Sequence, residues 1–410
     1  MINRRHALAG VISIGATAAL AGCGSRAETP AAPAGSGGAS APAANKIAKI
    51  GVIAPLSGDL SAMGLGIRNS VELAIKQAND AKAIPGWTLQ LAAEDDTATA
   101  NVGANAATKL KADAQIVAVV GTLNSGVAQS VQPILAGANI AMVSPANTNP
   151  TLTKGADAAA PKRTYANYFR VCTTDDVQGP FAAQYAFEAG FKNVAVVNDK
   201  KPYGLGLAAE FAKKMKALGG TVVAEESAVK QEDFGTVIAN IKAKNPQLVY
   251  YGTEYQLAGP FSRAMKAAGL NVPLMGGDGI YDDNFIKQAG STSNGDLATS
   301  VGAPVEKLPS AKAFIDAYKA AGFKDGYSAY GAYGYDAANA IIAALKVSLA
   351  SAASAEAGRQ ATVDAIGKVS FDGATGKVGF DQYGDATAKV LTVYTVEGGK
   401  WIDKKTGELK

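Results

Sequence analysis

The tetrapeptide Leu123-Asn124-Ser125-Gly126 stands where a strand-like apolar run, Ile116 to Val120 with Gly121, gives way to the helical segment Val127 to Leu135. At such a junction the first helical amides have no partner within the helix, so they and the Ser125 hydroxyl can hold an anion. The same residue types also make an ordinary helix N-cap. Thr148, in Ser144-Pro145-Ala146-Asn147-Thr148-Asn149-Pro150, follows another short apolar run and reads equally as a loop hydroxyl that satisfies its own backbone. Asp278, in Gly276-Gly277-Asp278-Gly279, closes a third run, where the neighbouring glycine also permits a turn aspartate.

Catalytic chemistry is poorly supplied. The only histidine, His6, falls in a leader-like segment, and there is no metal-ligand cluster, no G-x-S-x-G nucleophile elbow and no phosphate loop. Gly204-Leu205-Gly206-Leu207-Ala208-Ala209 matches a dinucleotide pattern, but Asp199 to Tyr203 separate it from the strand it would have to follow. No nucleotide or other cofactor is therefore expected. Lys and Arg total 39 against 35 Asp and Glu, a near balance without a basic face, which argues against nucleic acid as a partner.

These residues need a scaffold. Over 410 residues, apolar runs of strand length alternate with segments of helical period, the signature of a parallel α/β architecture, and the length suits two domains. One doubly wound set runs from Ile47 to Val143, with a helix expected over Gly66 to Ala81. A second restarts at a helix expected from Pro180 and includes a helix from Phe261, a strand at Leu248 to Tyr251 and a short strand ending at Met275. The trailing elements, helices near 310–321, 328–349 and 362–366 and a strand at Val390 to Val396, have no evident sheet of their own and are expected to return over both lobes. The predicted fold class is α/β, two doubly wound parallel-sheet lobes joined by a multi-crossing hinge. The expected divisions are 46–172 plus 302–383 for the N-terminal lobe and 173–301 plus 384–410 for the C-terminal lobe. Two open α/β lobes place the carboxyl ends of both sheets around one cleft.

The N-terminus reads as a secretory signal over 1–22, with Arg4-Arg5 before the apolar stretch Ala7 to Ala21, too short for the roughly 20 residues that span a bilayer. It ends in Leu20-Ala21-Gly22-Cys23, which resembles the lipobox of bacterial lipoproteins and predicts lipidation at Cys23. Residues 23–45, the lipidated cysteine and the Ala, Gly, Pro and Ser that follow, read as a flexible tether. The expected location is the cell envelope, exported and lipid-anchored. Only Cys172 remains for the folded region, and it reads as a buried small residue.

Taken in order, Ile50-Gly51-Val52, Pro55-Leu56-Ser57-Gly58, Asp95-Asp96, the Ser144 to Pro150 loop, Asp199-Lys200-Lys201-Pro202-Tyr203-Gly204, Asp233-Phe234, Tyr250-Tyr251-Gly252 and Gly276 to Gly279 resemble the leucine/isoleucine/valine-binding family of periplasmic proteins from Lys46 to about Gly399. The resemblance implies a type I periplasmic binding fold and no enzymatic activity. It implies an amino acid ligand, branched-chain or a related polar one, and delivery to an ABC permease with its ATPase subunits, the receptor itself acting as a monomer. An alternative within the fold is a surface sensor for short amides or for organic or aromatic acids.

By the same resemblance, Ser125, Ala146 through its backbone, and Thr148 contact the ligand carboxylate, Asp278 pairs with its ammonium, and Tyr203 closes over it. Two departures bear on the side-chain pocket. Met63 stands where branched-chain binders place an aromatic residue, and Glu254 occupies a second aromatic position, with Tyr255 beside it. Tyr330 is a further candidate for the first-lobe wall, among Tyr327, Tyr333 and Tyr335. A Glu254 that faces the cleft favours a polar or cationic side chain.

Overall fold

The computed structural model describes residues 45–409; the leader, Cys23 and the stretch through Ala44 lie outside them. The first sheet holds β1 (Lys46–Ala54), β2 (Trp87–Asp95), β3 (Ile116–Gly121), β4 (Ala141–Ser144) and β5 (Tyr168–Arg170). Their order is β2-β1-β3-β4-β5, with every neighbouring pair parallel. The crossovers are α1 (Ser61–Asp80), α2 (Ala100–Ala112) and α3 (Ser125–Ala136), with the short α4 (Thr151–Lys154) before β5. Because parallel strands are covered on both faces, β3 is apolar without alternation and buried along its whole length.

The second half opens with α5 (Asp175–Glu188) and continues through β6 (Asn193–Asn198), α6 (Pro202–Ala217), β7 (Thr221–Ser227), α7 (Phe234–Lys242), β8 (Leu248–Gly252), α8 (Tyr255–Ala267), β9 (Leu274–Gly276), α9 (Asp283–Ala289) and β10 (Leu297–Ser300). Its parallel part runs β7-β6-β8-β9-β10, the same winding as the first sheet. The chain then forms α10 (Lys312–Ala321), α11 (Gly331–Ser348) and α12 (Arg359–Ile366), a small hairpin of β11 (Ser370–Gly373) and β12 (Gly376–Gly379), and finally β13 (Leu391–Glu397) and β14 (Lys400–Gly407). Helix α11 packs along α1, and α12 against β3 and β4, whereas β13 and β14 add antiparallel strands to the β10 edge of the second sheet.

This is a two-lobed α/β fold, and three details depart from the sequence-based expectation. The C-terminal strands do not merely cover the lobes, because β13 and β14 complete the second sheet; β14 faces water along most of its length and carries no apolar run to betray it. β5 is a three-residue strand, too short for periodicity to register. Helices α5 and α8 begin at Asp175 and Tyr255, ahead of Pro180 and Phe261, and run through internal prolines at Pro180 and Pro260. A proline read as a helix start hides any turn that precedes it.

The glycines of the apparent dinucleotide pattern have a packing role instead. Both lie inside α6, and a Cβ on Gly204 would come within 2.2 Å of the Gly252 carbonyl oxygen at the end of β8.

Candidate ligand-binding cleft

Loops leaving the carboxyl ends of β3, β4, β8 and β9 converge with the first turns of α1 and α6 and the residue preceding α11. Together they line a small, partly open cavity of about 20 Å³ bounded by Met63, Leu123, Asn124, Ala146, Tyr203, Glu254, Asp278, Gly279 and Tyr330.

Asp278 follows β9 and is 2 % exposed. Its Oδ1 accepts from the Tyr203 hydroxyl at 2.8 Å and from Gln178 Nε2 at 2.9 Å, and its Oδ2 from the Tyr330 hydroxyl at 2.5 Å. All three donors are neutral. Among the described residues Asp278 forms no ion pair, and burial pushes its pKa above the usual carboxylate value, against the pull of the Tyr330, Gln178 and Tyr203 hydrogen bonds. The flanking glycines let the tyrosine ring lie against the backbone. A Cβ on Gly277 would stand 2.3 Å from Leu207 Cδ2 and 2.7 Å from the Tyr203 hydroxyl oxygen, and one on Gly279 would stand 3.0 Å from that oxygen. The Gly279 amide also donates to the Tyr203 hydroxyl at 2.9 Å. Asp278 is thus a wall residue held from three sides rather than a turn aspartate capping its own loop.

A second carboxylate stands behind it. Asp175, the first residue of α5, is fully buried, and its Oδ2 has no hydrogen-bond partner. Burial, reinforced by the charge of Asp278, holds its pKa well above the ordinary range. Asp175 Oδ1 accepts from Gln178 Nε2 at 3.5 Å, the nearby Thr148 hydroxyl eases the charge, and Thr148 Oγ1 is itself buried and unpartnered. Thr148 therefore does not satisfy its own backbone. Its loop is held by Arg170 of β5, which is fully buried and donates to the carbonyls of Asn147 and Asn149 at 2.6 and 2.9 Å, to Thr153 Oγ1 at 2.6 Å and to Asp385 at 2.7 Å.

Ser125 is the first residue of α3, and the N-cap position belongs to Asn124, whose side chain makes no capping bond. The Ser125 hydroxyl accepts weakly from the Asn149 amide at 3.4 Å. Val127 and Ala128 both donate to the Asn124 carbonyl, so the open end of α3 consists of the Ser125 and Gly126 amides. The structure thus brings Met63, Ala146, Tyr203, Glu254, Asp278 and Tyr330 onto one wall, with Ser125 and Thr148 buried one and two residues from the lining positions Asn124 and Ala146. Tyr255 is not on that wall, because its hydroxyl donates to the carbonyl of Asp59.

The remaining polar group on the wall joins the two lobes. Glu254 is 5 % exposed, and its Oε1 accepts from Asn124 Nδ2 at 2.6 Å while its Oε2 accepts from Lys201 Nζ at 3.0 Å. Burial would lower the Lys201 pKa, but the charges of Glu254 and Asp199 outweigh it and raise the pKa. Asp199 is lifted to about 6, by burial first and then by Glu254, with Lys201 opposing. Asn124, Lys201, Asp175 and Gln178 had not stood out as site residues in the sequence. The last two sit in the turn before Pro180, and the first two are recognisable only through their contacts with Glu254 across the cleft. Cys172 is a free, buried thiol 3.4 Å from the Asn147 carbonyl, and burial pushes its pKa up.

Two similarly wound sheets that turn their carboxyl ends to one shared cleft define a two-lobed ligand-binding protein. The chain belongs to the periplasmic binding protein family, which it matches over residues 48–400, and it is accordingly an extracytoplasmic solute-binding protein and not an enzyme. It is 33 % identical over 370 residues to the Leu/Ile/Val-binding protein BraC3 of Rhizobium johnstonii, covering 88 % of this chain and 95 % of that one. Among solved structures, it is similar to the leucine-binding protein LivK of Thermotoga maritima, with TM-score 0.78, 27 % identity and coverage of 88 % and 98 % of the two chains. It is also similar to the branched-chain amino acid transporter substrate-binding protein LivJ of Streptococcus pneumoniae in complex with isoleucine, with TM-score 0.76, 26 % identity and coverage of 89 % and 99 %.

Proposed function

We propose that the protein is the substrate-binding component of an ABC-type importer and takes a free α-amino acid between its lobes. The observation that carries this reading is Asp278, a buried carboxylate on the cavity wall surrounded by neutral donors. A desolvated carboxylate is costly until a cation joins it, and the α-ammonium of an amino acid is such a cation. The ligand carboxylate goes to the Ser125 and Gly126 amides at the open end of α3, with the Ser125 and Thr148 hydroxyls and the Ala146 backbone completing its shell. The names of the relatives, Leu/Ile/Val-binding and leucine-binding, support an amino acid as the ligand.

Recognition is coupled to closure. Tyr330 reaches Asp278 from the residue before α11, Asn124 reaches Glu254 from the loop after β3, and the Asn149 side chain donates to the Pro202 carbonyl at 2.7 Å. These bonds form only when the two lobes approach, so a ligand that stabilises them selects the closed shape that a permease reads. We assign 46–172 and 302–383 to one lobe and 173–301 and 384–410 to the other. The receptor acts as a monomer, tethered to the membrane through lipidated Cys23.

The test is isothermal titration of the purified protein, unfolded and refolded to strip carried ligand, against the α-amino acids, short amides and benzoate. Tight binding of α-amino acids alone is expected. Binding of only uncharged or carboxylate-only compounds would overturn the assignment of Asp278 to an ammonium.

A further inference from the structure

Asn124 and Glu254 make the one polar patch on the cavity wall, among the described residues, that the two ends of an amino acid leave unused. Asn124 is 8 % exposed and Glu254 5 %. An ionised carboxylate only accepts, so the 2.6 Å contact to Glu254 Oε1 must come from the Asn124 amide nitrogen. That orientation commits the amide oxygen elsewhere, and Asn124 Oδ1 is buried with no hydrogen-bond partner. An orphaned acceptor on a binding wall is unfavourable, and a donor brought by the ligand relieves it. Resting on the amino acid reading above, we infer that the ligand's side chain carries an uncharged hydrogen-bond donor, a hydroxyl or a carboxamide, received by Asn124 Oδ1 beside Glu254.

Competing side chains meet specific obstacles. A leucine or valine side chain would leave Asn124 Oδ1 unpaired against methyl groups. A lysine or arginine side chain would bring a second cation to a carboxylate that Lys201 already neutralises at 3.0 Å. An acidic side chain would face Glu254 itself. Met63, Leu123 and Ala146 supply the apolar contact a short side chain needs.

Isosteric pairs make the test, since threonine and valine, and likewise asparagine and leucine, differ in donors and hardly in size. Titration of the refolded wild-type protein should show at least one polar member binding about 10- to 100-fold more tightly than its aliphatic partner, the loss expected for an unpaired buried acceptor. In Asn124→Leu that preference should collapse or invert. Valine and leucine binding as tightly as threonine and asparagine would overturn the inference while leaving the amino acid reading intact. Binding of no α-amino acid would instead overturn that reading and this inference with it. Lysine binding more tightly than every uncharged amino acid would overturn the inference alone. The wild-type comparison stands without the variant, so a folding defect in Asn124→Leu does not rescue the inference.

Discussion

Replacing Asp278 with asparagine exchanges a carboxylate for a neutral group of the same shape at the centre of the cavity wall. One oxygen can still accept from Tyr203, Tyr330 or Gln178, whose donors now lie 2.5–2.9 Å from the carboxylate, but the new amide faces the others donor to donor. The proposed ammonium site loses the one buried carboxylate, among the described residues, that lines the cavity besides Glu254, which Lys201 already engages. Truncating one side of a buried charge pair costs about 2–5 kcal/mol, so affinity should fall by roughly 30-fold to several thousand-fold. Stability moves differently. The Asp278 pKa is raised by burial, so the folded state holds that proton more tightly than the unfolded chain and ionisation of the group weakens the ligand-free protein. Asp278→Asn should therefore keep or raise the ligand-free melting temperature while losing ligand. Titration calorimetry and ligand-free thermal unfolding on one preparation check both statements. A normally folded variant that binds within about threefold of wild type would refute the ammonium assignment.

Tyr203→Phe removes a donor to Asp278 and the acceptor of the Gly279 amide, so affinity should drop by about tenfold with a modest loss in melting temperature, read by calorimetry and thermal unfolding. Arg170→Ala leaves buried Asp385 with only Lys154, at 3.7 Å, and frees the Asn147 and Asn149 carbonyls, which should cost about 3–5 kcal/mol in urea unfolding and loosen the Thr148 loop. Asp96 is buried, its Oδ2 has no partner, and burial lifts its pKa to about 7 despite the Ala98 amide bond, with Asp95 adding to the rise. The folded state thus binds this proton more tightly than the unfolded chain, so its contribution is full below about pH 4 and is lost as pH rises through about 7, at most roughly 4 kcal/mol. Asp96→Asn should flatten that decline and stabilise the protein at pH 8 relative to wild type by about 1–3 kcal/mol, measured as urea midpoints at pH 4.5 and pH 8.

The sequence by itself determined the class of protein. Buried parallel strands read as unbroken apolar runs and their crossovers as helical periods, and this pattern survives in one dimension because each element's burial is a local property of its own residues. The candidate site residues Ala146, Tyr203 and Asp278 were implied by the family resemblance, and each follows the end of a strand, where α/β proteins present their loops. Only the tertiary structure decided what those residues touch. The strands β5 and β14 carry no periodic signal, yet β5 places Arg170 under the Thr148 loop and β14 closes the second sheet. Asp175 and Gln178 lie in a helical turn hidden before Pro180, and their place beside Asp278 spans about a hundred residues of chain. The pairing of Asn124 with Glu254 across the lobes, and the orphaned oxygen it leaves, depends on the two sheets facing each other. Contacts between distant segments follow from how the halves pack, and no local pattern encodes that packing.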